Sequence, residues 1–434
     1  MLTLRVEALA PGGEGVCRQS DGPYAGRVVF VAGVAPGDVV RARLTQAKGR
    51  WARAELVEVL EPGASRVAPF CPLWGDCGGC EWQHVSLDVQ RAQKRAIVQR
   101  IADKLTQGVV VPPLMIGADR AWRQRARLRF EAGRTVRLGF LGARSRRLVD
   151  VPECPVVRPG VQAGMDALRR ALAGVEARGT AVVSASGTSA YVSARLDGAP
   201  AARLSHLDAL LAGGVVSGLD GTTAFGATTL EVPGSPGLMV RPGGFTQANP
   251  EVFSLLVRDV LAEVERLAPR SAADLFAGAG TLTLPLARRI PDLLALEGDA
   301  AAVEDLRRNV AGLPVRVALA DLFRDDPLAG HLDVAPDLVV LDPPREGALA
   351  VARALAVLRP PAVLSVACDP QTQARDLAVL CAAGYRLVSM RAYDAFPHTA
   401  HVETLAVLEL PPQGEVEQQV PARSEAHPRL SEVQ

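Results

Sequence analysis

The sequence predicts an α/β protein of three consecutive parts, in which a small β-barrel and an α+β segment precede a parallel-sheet domain. Residues 1–58 carry four strand-like runs between glycine-rich turns. Residues 59–240 mix helical and strand patterns around a cysteine-rich segment, and residues 241–411 repeat strand–turn–helix units. A chain of 434 residues has room for two or three such domains.

The composition is that of a globular protein, with 48% hydrophobic and 22% charged residues. The longest apolar runs are only strand-length, which excludes a membrane span, and the N-terminus shows no signal-peptide pattern. We therefore expect a cytoplasmic location. Seven cysteines in a chain of this length do not indicate a disulfide framework.

The first 58 residues read as a barrel, because LTLRVEAL, GRVVFVAGV, DVVRARLTQ and WARAELVEVLE each have a strand pattern. Barrels of the OB type bind single-stranded nucleic acid among other ligands. One basic patch with one aromatic ring for stacking favours nucleic-acid binding. The alternative is a barrel that serves only as structural support. The patch consists of Arg41, Arg43, Lys48, Arg50, Trp51 and Arg53.

Four of the seven cysteines suggest a metal centre. Cys71, Cys77 and Cys80 are close together in CPLWGDCGGCEWQH, and Cys154 follows in VPECPVV. Three neighbouring thiols with a distant fourth suit a four-thiolate site, which holds an iron–sulfur cluster or zinc. Only one CxxC pair is present, which favours the cluster. The alternative is a set of unrelated buried cysteines.

Basic residues are concentrated between positions 85 and 147, where fifteen Lys or Arg stand against four Asp or Glu in a chain of net charge +1. The segment RQRARLRF, residues 123–130, alternates arginine with less polar residues and predicts a strand with four guanidinium groups on one face. Such a face favours binding of nucleic-acid phosphate, and an open face exposed to water is the alternative.

A glycine turn opens the C-terminal domain. SAADLFAGAGTLTLPLA predicts a strand, the turn Gly278-Ala279-Gly280 and a helix, and Glu297 ends the next strand. This pattern is typical of a Rossmann-like unit in which the acidic residue binds a ribose hydroxyl. Since the third glycine of the dinucleotide motif is missing, we expect S-adenosylmethionine instead. A ligand-free turn is the alternative.

Three further strand ends carry reactive groups. Cys368 follows the apolar run VLSVA and precedes a predicted helix, where we expect the thiolate to be favoured and to act as a nucleophile. Asp342-Pro-Pro-Arg345 has no aromatic residue after the prolines, which argues against methylation of an exocyclic amine. Glu403 stands where a loop enters the last strand. The alternatives are a small buried cysteine and an ordinary strand-entry carboxylate.

The chain resembles the RNA uracil-5-methyltransferase family that has an N-terminal TRAM domain and an iron–sulfur cluster. The resemblance covers residues 1–410, in CPLWGDCGGC, GGFTQAN, DLFAGAGTLTLPLA, LDPPREG, VACDPQTQARDL and FPHTAHVETL. It implies a class I methyltransferase domain behind a TRAM barrel and a central cluster domain. It also implies Cys368 as nucleophile and Glu403 as general base. Thr281 and Asp369 stand where relatives often have Asn.

The same resemblance implies the ligand sets and the reaction. Cys71, Cys77, Cys80 and Cys154 correspond to the ligands of a 4Fe-4S cluster, and the methyl-donor contacts are Gln247, Phe276, Thr281, Glu297, Asp321 and Asp342. The expected substrate is RNA, with 23S rRNA favoured and tRNA possible. The alternatives are a non-catalytic RNA-binding scaffold and cytosine-5 methylation. No obligate protein partner is evident, and we expect residues 412–434 to be a disordered tail.

Overall fold

The structure, a computed structural model, describes residues 1–19 and 26–411. The predicted disordered tail, residues 412–434, lies outside the described residues. Within the ranges that are described, no helix combines the length and the apolar character needed to cross a bilayer.

The N-terminal part is a closed five-stranded barrel, as the sequence predicted. Leu2, Leu4 and Val6 point into it from the first strand, while the residues between them are exposed. This alternation fills the barrel with small aliphatic side chains and leaves charged ones outside. The strands, in the order β1-β2-β3-β5-β4, are β1 Leu2–Leu9, β2 Gly15–Arg18, β3 Val28–Val31, β4 Val39–Lys48 and β5 Trp51–Glu61.

The central part is a seven-stranded sheet in the order β12-β11-β10-β9-β6-β7-β8, which packs against helix α2. A helix of the 3-10 type covers Ala201–Ala209, and a two-stranded ribbon follows the sheet. The elements are α1 Leu87–Leu105, β6 Arg125–Ala132, β7 Val136–Leu141, β8 Leu148–Asp150, α2 Pro159–Ala171, β9 Ala177–Ser186, β10 Ser189–Asp197, β11 Gly213–Gly218, β12 Gly221–Gly226, β13 Leu230–Glu231 and β14 Met239–Val240.

The predicted arginine strand is β6. Its Ala126, Leu128 and Phe130 are buried, and Arg127 and Arg129 are exposed on the opposite face, as a period of two requires. The prediction of four arginines on one open face is wrong for its first two members, because Arg125 is only partly exposed and donates a hydrogen bond to the Gly243 carbonyl at 3.3 Å. Arg123 precedes the strand and lines a cavity together with cysteines of the CPLWGDCGGC segment.

The C-terminal part is a seven-stranded sheet in the order β17-β16-β15-β18-β19-β21-β20, with β21 as its one antiparallel strand. This is the predicted Rossmann-like arrangement, and the carboxyl ends of the parallel strands share one edge. The elements are α3 Pro250–Leu267, β15 Ser271–Leu275, α4 Thr283–Ala287, β16 Asp292–Glu297, α5 Ala300–Asn309, β17 Val315–Leu319, β18 Leu338–Leu341, α6 Leu349–Leu358, β19 Ala362–Ala367, α7 Pro370–Ala382, β20 Arg386–Tyr393 and β21 Glu403–Glu409.

Helix α1 packs against this C-terminal sheet, although it ends at Leu105 and the first strand of the sheet begins at Ser271. Val98, Ile101 and Ala102 are buried in the same core as strands β15, β16 and β18. The apolar face of α1 therefore fixes the N-terminal half of the chain on the Rossmann-like domain.

Candidate active site

Cys368 lies where the sequence places it, directly after β19 and before α7. Every residue of β19 is buried, so the strand holds its carboxyl end firmly at the edge of the sheet. The cysteine itself is partly exposed at that edge. A thiol in this position can meet a ligand that enters the crevice beyond the strand ends.

The expectation that helix α7 favours the thiolate is wrong. Burial raises the pKa of the Cys368 thiol to about 12, the negative charge of Glu403 adds to this rise, and Arg345 opposes it. The helix start is already occupied, because the Asp369 carboxylate accepts a hydrogen bond from the Gln371 amide at 2.8 Å. Cys368 is therefore a neutral thiol at pH 7.

Glu403 faces Cys368 across two neighbouring strands. The register of β19 and β21 pairs Ala367 with Thr404, and one further step along both strands brings Cys368 opposite Glu403. The side chain of Glu403 is buried. Burial raises the pKa of its carboxyl to about 8, with a further contribution from Asp342, while Arg345 lowers it. The structure thus brings the two predicted catalytic residues together.

Asp342 and Arg345 supply the other charges of the pocket. Asp342 follows β18, and burial raises the pKa of its carboxyl to about 7, although the Gln247 side-chain amide donates a hydrogen bond to it at 3.3 Å. Arg345 lies 3.2 Å from the Nε2 atom of His401. Burial, followed by Arg345, lowers the pKa of His401 to about 4, so this imidazole is neutral at pH 7.

The other predicted methyl-donor contacts cluster at the carboxyl ends of β15, β16 and β17. Glu297 accepts a hydrogen bond from the Gly278 amide at 2.8 Å, which ties the end of β16 to the glycine turn. Phe276 has a left-handed backbone, and its ring centroid lies 5.6 Å from that of Phe323. Asp321 accepts a hydrogen bond from the Phe323 amide at 2.9 Å. Thr281 follows the turn and is partly exposed.

Sequence reasoning missed Asp274 on β15. The residue is buried, one carboxylate oxygen accepts from the Thr283 hydroxyl at 2.5 Å, and the other has no partner among the described residues. Burial raises the pKa of this carboxyl to about 7, and the hydrogen bond from Thr283 opposes the rise. An acidic residue within the apolar strand SAADL, just before a glycine turn, was the available signal.

Sequence reasoning also passed over Phe245 in GGFTQAN. Its side chain is 67% exposed, and the Arg125 guanidinium lies 5.9 Å from the ring centroid. An exposed ring beside a guanidinium suits stacking on a nucleobase. The signal was an aromatic residue two positions before Gln247.

The four predicted metal-ligating cysteines meet at one cavity. Leu73, Trp74 and Phe140 give it apolar walls, and Arg123 adds one cation. Within the described part of the chain, no three His, Cys, Asp or Glu side chains lie close enough together to hold one metal ion. Cys71, Cys77, Cys80 and Cys154 all line this cavity.

Contacts with backbone amides hold three of these four cysteines. The Gly79 amide donates to the Cys77 sulfur, and the amides of Cys71 and Cys154 are held by the side chains of Gln83 and Gln162, each at 3.1 Å. Burial raises the pKa of the Cys80 thiol to about 12, and a hydrogen bond with the Gln83 side chain opposes the rise.

Comparison with known proteins connects these features. Residues 1–57 match the model of the TRAM domain, and residues 238–358 match that of the methyltransferase small domain. The 23S rRNA (uracil(1939)-C(5))-methyltransferase RlmD of Halomonas elongata is 34% identical, over 94% of this chain and 89% of its own length. The enzyme of the same name from Pectobacterium atrosepticum is 33% identical, over 94% and 93%.

Among solved structures, the tRNA (uracil-54, C5)-methyltransferase of Pyrococcus abyssi in complex with S-adenosyl-L-homocysteine has the same fold. The TM-score is 0.71 at 23% identity, and the match covers 94% of this chain and 99% of the other. The TRAM barrel, the class I methyltransferase fold and similarity along nearly the whole length agree with the motifs. The chain belongs to the RNA uracil-5-methyltransferase family that includes the RlmD enzymes.

Proposed function

We propose that this protein is an S-adenosylmethionine-dependent enzyme that methylates carbon 5 of a uridine in RNA. The observation that carries the proposal is the placement of Cys368 opposite Glu403, across β19 and β21, beside the donor crevice. Residues 1–58 and 59–240 would bind RNA, and residues 241–411 would hold the chemistry. The relatives named above favour 23S rRNA, and the solved tRNA enzyme makes tRNA the second candidate.

We propose that the donor crevice is formed by Gln247, Phe276, Thr281, Glu297, Asp321 and Asp342. We add Asp274 to this proposal, because one of its carboxylate oxygens has no partner among the described residues. Glu297 keeps free acceptor positions for ribose hydroxyl groups, and the Phe276 and Phe323 rings offer apolar faces to an adenine. When bound, S-adenosylmethionine supplies an electrophilic methyl group.

The residues of the pocket account for the remaining steps. The thiol of Cys368 gives up its proton to water as its sulfur forms a bond to carbon 6 of uracil. The electron pair of the 5,6 double bond moves toward the carbon-4 carbonyl as an enolate, which makes carbon 5 nucleophilic. After carbon 5 has gained the methyl group, the Glu403 carboxylate takes its proton. The electron pair of that C–H bond restores the 5,6 double bond, and the carbon–sulfur bond breaks. Asp342 is placed to orient the imide edge of the uracil or the donor.

A stacked uridine cannot reach this pocket, so the target base must be flipped out or lie in a single-stranded loop. The exposed guanidinium groups of Arg127 and Arg129 and the ring of Phe245 are proposed to hold the flanking RNA. On the barrel, Arg53 lies 5.3 Å from the ring centroid of Trp51, which forms a similar platform.

The four cysteines are proposed to hold a 4Fe-4S cluster. Their arrangement around a cavity and the adjacent cation Arg123 support a net-negative thiolate centre. The test is iron, sulfide and zinc analysis of anaerobically purified Cys80→Ser. We expect loss of iron and sulfide, whereas Cys381→Ser, a control on α7 outside the cavity, keeps both. Stoichiometric zinc in the unaltered protein would refute the cluster.

The activity is tested with methyl-labelled S-adenosylmethionine and unmodified total RNA, followed by separation of 23S, 16S and tRNA and digestion to nucleosides. We expect label in 5-methyluridine from 23S rRNA. Cys368→Ser should abolish it and Cys381→Ser should not. Label in tRNA would change the substrate only, whereas label in 5-methylcytidine, or no label, would refute the chemistry.

A further inference from the structure

The segment that leads to Glu403 is held by a helix from the other half of the chain. Residues 394–402, here named the base loop, join β20 to β21 and end next to Glu403. The loop contains no regular element, and His398 has a φ of 65°, a left-handed backbone that residues other than glycine rarely adopt. Such a conformation persists only where surrounding contacts enforce it.

Lys94 of α1 provides the first set of contacts. Its ammonium group is completely buried and donates to Asp394 at 2.7 Å and to the Phe396 carbonyl at 2.8 Å. Asp394 is also fully buried, and Arg91, on the preceding turn of α1, reaches its other oxygen at 3.2 Å. A buried ion pair of this kind permits few geometries, because each charge is costly without its partner.

Gln90 provides the second set, four residues before Lys94 and so on the same face of α1. Its carbonyl oxygen accepts from the His398 amide at 2.9 Å, and its amide group donates to the carbonyl of Val85 at 2.8 Å. The Trp82 amide donates to the His398 carbonyl at 2.9 Å. Both backbone polar groups of the left-handed residue are therefore fixed from outside the loop.

In the part of the chain that the structure describes, neither Gln90 nor Lys94 contacts Cys368, Glu403 or the predicted methyl-donor residues. Apart from contacts with Trp82 and Val85, they reach the base loop, which contains His401, the neighbour of Arg345, and ends next to Glu403. Glu403 is the first residue of β21, so the base loop meets the sheet at this carboxylate. Cys368 follows β19, which pairs with β21 over Ala362–Ala367, so a change in the loop bears on Glu403 first.

We propose that Gln90 and Lys94 are positioning residues for proton removal, which act by fixing the base loop so that Glu403 meets the proton on carbon 5. This inference rests on the proposed function, in which Cys368 forms the carbon–sulfur bond and Glu403 takes the proton. Loss of either contact set slows release of the carbon-5 proton more than transfer of the methyl group, and the methylated RNA remains covalently bound to Cys368.

The test is a single-turnover reaction of the full-length protein with unmodified 23S rRNA that carries tritium at carbon 5 of uridine, together with methyl-labelled donor. Tritium released to water reports proton removal, and label in RNA reports methyl transfer. For Gln90→Met we expect the rate of tritium release, divided by the rate of methyl transfer, to fall by roughly tenfold, because the catalytic carboxylate is misplaced. A protein–RNA band that survives denaturation should accumulate.

Gln99→Met is the matched control, with the same substitution on the same helix. Gln99 ties α1 to the Val109 carbonyl and the Val111 amide, each at 2.8 Å, and does not contact the base loop. If Gln90→Met fails to fold, the double variant Lys94→Met/Asp394→Asn, which removes both charges together, replaces it with the same expectation.

The outcomes separate the two hypotheses. The positioning role is overturned if tritium release keeps pace with methyl transfer in the α1 variants, or if it falls behind equally in Gln99→Met. In both cases release still falls behind methyl transfer in Glu403→Gln, so the proposed base stands. If Glu403→Gln itself shows no lag, the proposed base is wrong and the inference fails with it.

Discussion

The carboxyl of Glu403 makes the rate of proton removal depend on pH in a range where ordinary carboxyl groups are fully ionised. Its pKa is raised from 4.5 to about 8, chiefly by burial. The base acts as the carboxylate, so its active fraction is about one tenth at pH 7 and about nine tenths at pH 9. We therefore expect the rate of tritium release from carbon 5, taken relative to the rate of methyl transfer in single turnovers with excess donor, to rise about tenfold between these pH values.

Arg345 tests the cause of this profile. Its positive charge lowers the pKa of both Glu403 and Cys368, so Arg345→Gln should move the midpoint of the profile to higher pH. Arg345→Lys keeps the charge and should leave the midpoint closer to that of the unaltered protein. A profile that is flat from pH 6 to 9, or a midpoint that falls in Arg345→Gln, would contradict the electrostatic account of the pocket.

Three further predictions concern stability. The pKa of Asp274 is raised from 3.8 to about 7, so its contribution to stability is lost as pH rises through that value. Between pH 4 and pH 8, the free energy of unfolding of Asp274→Asn should therefore rise by up to about 4 kcal/mol relative to that of the unaltered protein, as measured by denaturant unfolding. Lys94→Met should cost about 3–5 kcal/mol, because it leaves Asp394 buried without its main partner, and adding Asp394→Asn should recover most of the loss in the same assay. Trp82→Phe removes a buried hydrogen bond of 3.0 Å to the Gly13 carbonyl and should cost about 1–3 kcal/mol in unfolding at constant pH.

The sequence was informative where a local pattern carries the signal. The alternation of Arg127, Leu128 and Arg129 predicted β6, and the run before Cys368 predicted a buried strand that ends at the sheet edge. The ionisation state of Cys368 was predicted wrongly, because it depends on groups that come from other strands. Asp369 takes the helix amides, while Glu403 and Asp342 add negative charge around the thiol.

What the sequence determined by itself is the set of elements and the residues at their ends, since periodicity and turn chemistry are properties of neighbouring residues. Only the tertiary structure decided that β21 lies between β19 and β20, which brings Glu403 opposite Cys368. Only it decided that Lys94 pairs with Asp394, 300 residues away, and that four thiols share one cavity. Such contacts depend on strand register and on which charges become buried together. Both involve residues far apart in the chain, so no local sequence pattern predicts them.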